Sequence, residues 1–415
     1  MIQLRHLCFT LVGVFLLFSN SLLSQNQSEQ DILLQTLKEE CDKNFAELKE
    51  LDPPAYILTY RLEENHTFKI SSLFNVINQS DEEHKRVVTI QVRIGSMTMD
   101  NFREIRSGYS HFGSQEYEIK IPITDETAAL KQVLRRETGI AYRKAAAQYQ
   151  QVKSNSVLLI ESEDSSPDFT ESLLESYYEP PISNANFNME LWKGKLRSYS
   201  GKLFPFHDII TAQTSIQYKL TRKYYVSSEG NSIVQNHSSS YLSIYIDGKA
   251  EDGMDIPIYH SWFAFDPMEF PSDEVIEKKI IELKELFLNL RTAPILESFS
   301  GPALLSNDAA AVLFHELFGH RVEGSRLKSE RDGQTFKKKV GEQILNPHIN
   351  ITFDPTLQFY KELPLSGSYI FDEEGIRGCR VEVIKQGVLN SFLMSRTPID
   401  GFEYSNGHAR AEAGM

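Results

Sequence analysis

The stretch that decides the fold is SIQYKLTRKYYVSSEGNSIVQNHSSSYLSIYIDG, residues 215–248. Apolar and polar side chains alternate along much of it, as they do in strands that bury one face. Turn-forming residues interrupt the alternation at Ser228–Gly230. We therefore predict hairpin strands here, within a run of strands and turns that extends over about 210–265.

Helical and strand-like segments precede this stretch. Residues 28–51 place apolar side chains at helical spacing and predict an amphipathic helix. Residues 53–77 alternate in the manner of two strands, and KRVVTIQVRIGSM, residues 85–97, adds another. A second helix is predicted within 124–152, with Thr124 as its candidate N-cap.

The order of these segments predicts an α+β protein in two domains. The first is a mixed α/β domain over residues 25–160. Residues 161–209 begin with an acidic, proline-bearing stretch and are predicted to connect the domains. A strand-rich C-terminal domain is predicted over 210–415, including a helix that starts after Ser272.

The N-terminus has the layout of a secretory signal peptide. Arg5 precedes a compact apolar run from Cys8 to Phe18, and small polar residues follow. We predict a signal peptide over residues 1–24, cleaved after Ser21 or Ser24, and a protein exported to the periplasm or secreted. The alternative is an uncleaved anchor, although the run is short for a membrane span.

Charge and cysteine content exclude some classes of protein. The net charge is −14 and the pI is near 5.4, which argues against a nucleic-acid partner because such proteins normally carry a basic face. Cleavage would leave Cys41 and Cys379, too few for a disulfide framework. We predict that both are partly buried apolar residues.

A candidate metal site lies in VLFHELFGHRVEG, residues 312–324. In the zinc-protease pattern HExxH, two histidines four residues apart share one helix face and the glutamate activates the water. Here His315 and His320 are five apart, so an unbroken helix would point them about 140° away from each other. We predict that the helix ends before His320, with Gly319 in the left-handed conformation.

The predicted roles follow from this geometry. His315 and His320 are candidate Zn²⁺ ligands, and Glu316 is the candidate catalytic base beside the zinc-bound water. Glu323 is a candidate for orienting a ligand histidine. The alternative is a pair of hydrogen-bonded histidines at a helix end.

Catalytic zinc normally has three protein ligands, and the spacing does not identify the third. Candidates for it are Cys379, His348, His408, Asp372 and Glu374. A structural role is the alternative for each of them: a buried thiol for Cys379, loop positions for the histidines, and a turn for the acidic residues.

Three stretches carry a family resemblance: GPALLSNDAAAVLFHELFGHRVEG, GSYIFDEEGIRGCRVEVIKQGVLNSFLMSR and SNGHARA. In this order they resemble the TldD/PmbA (gyrase-modulator) family of zinc metallopeptidases, in its active, TldD-like branch. The resemblance covers about residues 50–415 and is most specific in the last 120 or so.

The resemblance implies zinc-dependent hydrolysis of unfolded or flexible peptides, in a cleft formed with a second family member as a homodimer or heterodimer. His315 and His320 match the zinc histidines and Glu316 the catalytic glutamate. The family's third ligand, a cysteine, would lie beyond residue 415, so we expect a C-terminally truncated member with an incomplete domain. The alternatives are a non-catalytic peptide-binding partner subunit and a periplasmic binding protein with a structural histidine pair.

Overall fold

The computed structural model describes residues 28–104, 118–156, 164–182, 187–203, 208–329 and 334–414. The predicted signal peptide, residues 1–24, lies outside the described residues. Five α-helices are described: α1 (Ile32–Leu48), α2 (Thr127–Ser156), α3 (Met189–Gly201), α4 (Asp273–Arg291) and α5 (Asn307–Leu317). None of the helices in these ranges is long and apolar enough to cross a membrane.

Seven strands form the main sheet. They are β1 (Ala55–Leu73), β2 (Val76–Ile94), β3 (Ile119–Ile121), β4 (Ser176–Tyr178), β5 (Ile209–Ser227), β6 (Ser232–Gly248) and β7 (Ile258–Ala264). Their order is β3-β2-β1-β5-β6-β4, and β7 also pairs with β6. All neighbours are antiparallel except β4 and β6. The predicted hairpin is confirmed, because β5 and β6 are joined through the turn at Ser228–Gly230.

Smaller strands follow in the C-terminal part: β8 (Ile351–Phe353), β9 (Phe359–Tyr360), β10 (Leu363–Pro364), β11 (Val381–Lys385) and β12 (Val388–Leu389). β8, β11 and β12 form a three-stranded sheet, and β9 pairs with β10. Four short 3-10 helices complete the described elements: Pro267–Glu269, Gly319–Arg321, Gly324–Lys328 and Gln334–Phe336.

Helices α1–α4 cover one face of the main sheet. Helices α1 and α2 pack on Leu58, Tyr60 and Leu62 of β1 in one core cluster. Helices α3 and α4 pack on Ile216 of β5, with Ile244 of β6, in a second cluster. All of these strand residues have even residue numbers. Because side chains alternate between the two faces of a strand, the odd-numbered residues of β1 and β5 face the other side of the sheet. The predicted α+β class is therefore confirmed, with a large antiparallel sheet.

The main sheet crosses the predicted domain boundary at residue 210. Strand β1, from the predicted first domain, pairs with β5 from Thr59↔Ser227 to Leu73↔Gln213. The boundary between 25–160 and 210–415 therefore cuts through one sheet, because backbone hydrogen bonds join its two sides. As folding units, those two ranges stay a prediction.

One strand prediction needs correction, and the predicted connection 161–209 contains regular structure. Residues 53–77 contain one long strand, which turns at Phe74 and Asn75 (φ 46° and 66°) into β2, rather than two short strands. The predicted connection 161–209 contains β4 and α3, since Tyr178 pairs beside β6 and Trp192 is buried beneath the sheet.

The predicted burial of the cysteines holds for one of them. Cys41 is buried in the first core cluster, and burial raises the pKa of its thiol to about 12. Cys379 is exposed, so the prediction of a partly buried residue was wrong for it. It follows Gly378, whose backbone is packed against Pro355 and Tyr369, and the chain turns the thiol outward there.

Candidate metal centre

Helix α5 carries the HELFGH sequence and ends before its second histidine. Ser306 occupies the N-cap position without a side-chain hydrogen bond, and Asp308 lies in the first turn. The last helical residue is Leu317, and Phe318 (φ −126°, ψ −48°) leads into the 3-10 turn Gly319–Arg321. The helix does end before His320, but Gly319 is not among the residues with positive φ. The prediction of a left-handed Gly319 was therefore wrong.

Buried side chains explain where the helix ends. None of the residues of α5 is buried, whereas Phe318 and Val322 enter a third core cluster together with Leu327 and Phe392. Because Phe318 is directed into this cluster, the backbone leaves the helix at that residue. A methyl group on Gly319 would lie 3.9 Å from Nδ1 of His315, an ordinary contact. Glycine is thus not required by space at this position.

The break brings the three candidate residues together. The imidazole rings of His315 and His320 lie edge to face, with centroids 4.6 Å apart. Ligand atoms of His315, Glu316 and His320 all lie within 4.8 Å of one another. The side chains of His315 and Glu316 are 62% and 64% exposed, and that of His320 is 42% exposed. Two imidazoles and one carboxylate at this separation match the donor types that bind Zn²⁺.

Glu323 contacts the second histidine as its sequence position predicts for an orienting carboxylate. Its Oε1 lies 2.9 Å from Nδ1 of His320, which leaves Nε2 of that ring for a metal ion. Arg326 donates from Nε to the other oxygen of Glu323 and fixes the carboxylate. Arg326 was not among the residues predicted from the sequence. The sequence does indicate this ion pair, because Glu323 and Arg326 are three residues apart at the start of a helical turn.

The candidates for a third ligand lie outside this group. Within the described ranges, the metal-ligating cluster contains His315, Glu316 and His320, and none of Cys379, His348 or His408. Cys379 is directed at the carbonyl of Asn406, with Sγ 3.2 Å from that oxygen. His408 contacts the same carbonyl through Nδ1, and its Nε2 is buried without a hydrogen-bond partner. The structure does not bring these side chains to His315 and His320.

The acidic candidates form a turn. Asp372 accepts hydrogen bonds from the backbone N–H groups of Glu374, Ile376 and Ala409. Burial and the negative charge of Glu374 raise the pKa of the Asp372 carboxyl. Glu374 accepts a hydrogen bond from the backbone N–H of Arg396. Asp372 and Glu374 therefore organise the backbone around residues 371–376.

Comparison with known proteins gives the same family at the C-terminal end. Residues 299–415 match the family described as the PmbA/TldA metallopeptidase C-terminal domain. A protein named "Zinc metalloprotease TldD homolog" from Saccharolobus solfataricus is 26% identical over 185 residues, which are 44% of this chain and 39% of that protein. A protein named "Metalloprotease" from Archaeoglobus fulgidus is 29% identical over 137 residues, 33% of this chain and 30% of that protein. The chain thus matches well under half the length of these curated relatives.

The fold is also shared with solved structures. The crystal structure of TldE from Thermococcus kodakarensis superposes with a TM-score of 0.57 and 16% identity, and the match covers 90% of this chain and 73% of that one. At this identity the likeness establishes the fold alone. The matched C-terminal domain, the TldD homologue and the shared fold all support the TldD/PmbA family for this chain.

Proposed function

We propose that this protein is an exported zinc-dependent metallopeptidase that hydrolyses unfolded or flexible peptides. The observation that carries the proposal is the grouping of His315, Glu316 and His320 where α5 ends. The names of the curated relatives, metalloprotease and zinc metalloprotease, support the reaction class. Export rests on the N-terminal pattern, and sequencing the mature N-terminus, expected after Ser21 or Ser24, tests that part.

Each residue of the group has a distinct task. His315 and His320 would hold the metal ion through ring nitrogens, with His320 oriented by Glu323. A bound zinc ion would supply a Lewis acid that polarises the scissile carbonyl and acidifies water. The Glu316 carboxylate accepts a proton from the attacking water and passes it to the leaving amine. The high exposure of Glu316 suits this role, since both water and substrate can reach it.

The substrate is proposed to bind as an extended chain. An unfolded peptide can add alongside a strand and satisfy its own backbone hydrogen bonds, so affinity depends little on its sequence. A folded protein offers no free backbone for this. Dimerisation with a second copy or with a relative belongs to the same proposal, and light scattering on the purified chain, alone and mixed with a relative, measures it.

A zinc titration of the purified chain tests the proposal. We expect one zinc ion per chain. His315→Ala and His320→Ala should each weaken zinc binding by about a hundredfold or more, because loss of a direct ligand costs more than the roughly 10–100-fold effect of losing a residue that only orients a ligand. His348→Ala is the matched control, because His348 lies outside the cluster. Equal zinc binding by all four proteins would contradict the assignment.

A second function is a non-catalytic peptide-binding partner subunit. It is favoured by the composition of the cluster, in which the described residues supply two imidazoles and no third nitrogen or sulfur ligand. A chain of this kind would bind peptides but would neither retain zinc nor cleave them. The same titration, combined with a peptidase assay, separates the two functions.

A further inference from the structure

The sheet face opposite helices α1–α4 carries a cluster of basic side chains. Lys219, Thr221 and Lys223 occupy alternate positions of β5 and therefore lie on the same face. Thr221 is directly opposite His237 of β6, and Lys219 is opposite Ser239. Lys219 and His237 are thus diagonal neighbours on that face, about 7–8 Å apart along the backbone and within reach of one small ligand.

Lys223 forms ion pairs with two carboxylates, whereas Lys219 forms none with the described residues. The Lys223 ammonium lies 2.7 Å from Glu373 and 3.6 Å from Glu63. Lys219 is half-buried, yet its ammonium has no ion pair or side-chain hydrogen bond within the described parts of the chain. Burial lowers the pKa of Lys219. The negative charge of Glu63, and more weakly that of Glu412, opposes this shift, and the positive charges of Lys223 and Lys85 add to it. An unpaired and partly desolvated cation is unfavourable unless an anion joins it.

The His237 ring, like the Lys219 ammonium, is half-buried and lacks a bonding partner among the described residues. Its ring nitrogens make no hydrogen bond to any residue that the structure describes. Burial and the positive charges of Lys223, Arg410 and Lys219 lower the pKa of His237 to about 4. At pH 7 the ring is therefore neutral and has one N–H to donate.

We propose that Lys219 and His237 form a carboxylate-binding subsite for peptides. The Lys219 ammonium pairs with the carboxylate, and His237 donates its single N–H to the same group. The hydroxyl of Ser239 and that of Thr67, opposite Lys219 on β1, flank the position. The subsite rests on the proposed function in one respect, namely that the bound molecule is a peptide.

The chemistry of the pair favours a carboxylate. One ammonium and one neutral N–H match a singly charged group with two acceptor oxygens, and charge-assisted hydrogen bonds of this kind are among the strong ones in proteins. A peptide offers this group in two places, its C-terminus and its acidic side chains. The two sources are distinguished by changing one of them at a time.

Peptide binding without catalysis tests the subsite. A fluorescent, unstructured octapeptide is titrated with the full chain in EDTA, so that neither bound metal nor cleavage contributes. Three forms are compared: one with a free C-terminus and a glutamate, one with a C-terminal carboxamide, and one with glutamine replacing the glutamate. We expect one of the two neutralised forms to bind about tenfold more weakly than the first.

Substitutions assign this difference to Lys219. We expect Lys219→Gln to bind all three peptides equally weakly, and Lys219→Arg to retain a preference for the charged form. Lys278→Gln is the matched control, since Lys278 is exposed on α4 beyond the opposite sheet face. Circular dichroism and a thermal melt of each variant verify folding.

The outcomes are separable from those of the proposed function. Loss of affinity with the carboxamide identifies the C-terminal carboxylate, and loss with glutamine identifies a side chain. Equal binding of all three peptides by the unsubstituted protein, or an unchanged preference in Lys219→Gln, overturns the subsite. Because the measurement needs no zinc and no cleavage, a failed peptidase assay leaves its result unaffected.

Discussion

Replacing Glu316 by glutamine is expected to abolish peptide cleavage and to leave zinc binding nearly intact. Glutamine keeps the shape of the side chain but cannot accept a proton, and general-base catalysis typically contributes about 10²–10⁴-fold to the rate. We therefore expect kcat of the zinc-loaded protein to fall by that factor with little change in KM. Stopped-time cleavage of a flexible fluorogenic peptide measures the rate, and atomic emission measures the zinc content.

The control for Glu316→Gln is Glu382→Gln. Glu382 lies on β11 in surface ion pairs with Arg380 and Lys385, outside the candidate metal cluster. The Glu382→Gln substitution removes the same charge and should leave both cleavage and zinc binding unchanged. Unaltered cleavage by Glu316→Gln would exclude Glu316 as the base. Loss of zinc in that variant would instead make Glu316 a metal ligand.

Of the substitutions named here, removing the guanidinium of Arg396 is expected to cause the largest decrease in the free energy of unfolding. This side chain is 1% exposed and donates to both oxygens of Glu229, at 2.7 Å each. It also donates twice to the carbonyl of Thr170 and lies 4.1 Å from the ring centroid of Phe169. Truncation removes the charged partner of the partly buried Glu229 carboxylate and the guanidinium donors to the Thr170 carbonyl. We expect Arg396→Ala to lower the free energy of unfolding by about 3–5 kcal/mol.

Chemical denaturation of matched variants tests the role of Arg396. Arg380→Ala, which removes a 59% exposed guanidinium paired with Glu382, should cost less than about 1 kcal/mol. Arg396→Lys should recover only part of the loss, because an ammonium cannot make the two parallel bonds to Glu229. Equal effects of Arg396→Ala and Arg380→Ala would show that the buried Arg396–Glu229 ion pair and the hydrogen bonds to Thr170 contribute no more to stability than a surface pair.

Local sequence patterns predict the elements well where neighbours in sequence are also neighbours in space. The hairpin of β5 and β6 follows from alternation and one turn, and the helix after Ser272 from its apolar spacing. The pairing of β1 with β5 joins residues such as Thr67 and Lys219 that are far apart in the chain. No local pattern encodes that register, and the predicted boundary at 210 therefore cut the sheet.

The candidate site shows the same division between local and distant information. The five-residue spacing of His315 and His320 predicts the helix break, because a regular helix would separate the rings. The position of the break depends on the burial of Phe318 against residues as distant as Phe392, which sequence spacing does not reveal. The exposure of Cys379 depends similarly on the packing of the preceding glycine against Pro355 and Tyr369.

The lack of any buried residue in α5 has a thermodynamic consequence for metal binding. An 11-residue helix without a packed face is marginal in water, so its ordered form competes with frayed conformations. Only the ordered form presents both histidines at once, and the apparent dissociation constant is raised in proportion as that form becomes rarer. Metal and helix then stabilise each other, and any contact that packs against α5 strengthens metal binding without touching the metal.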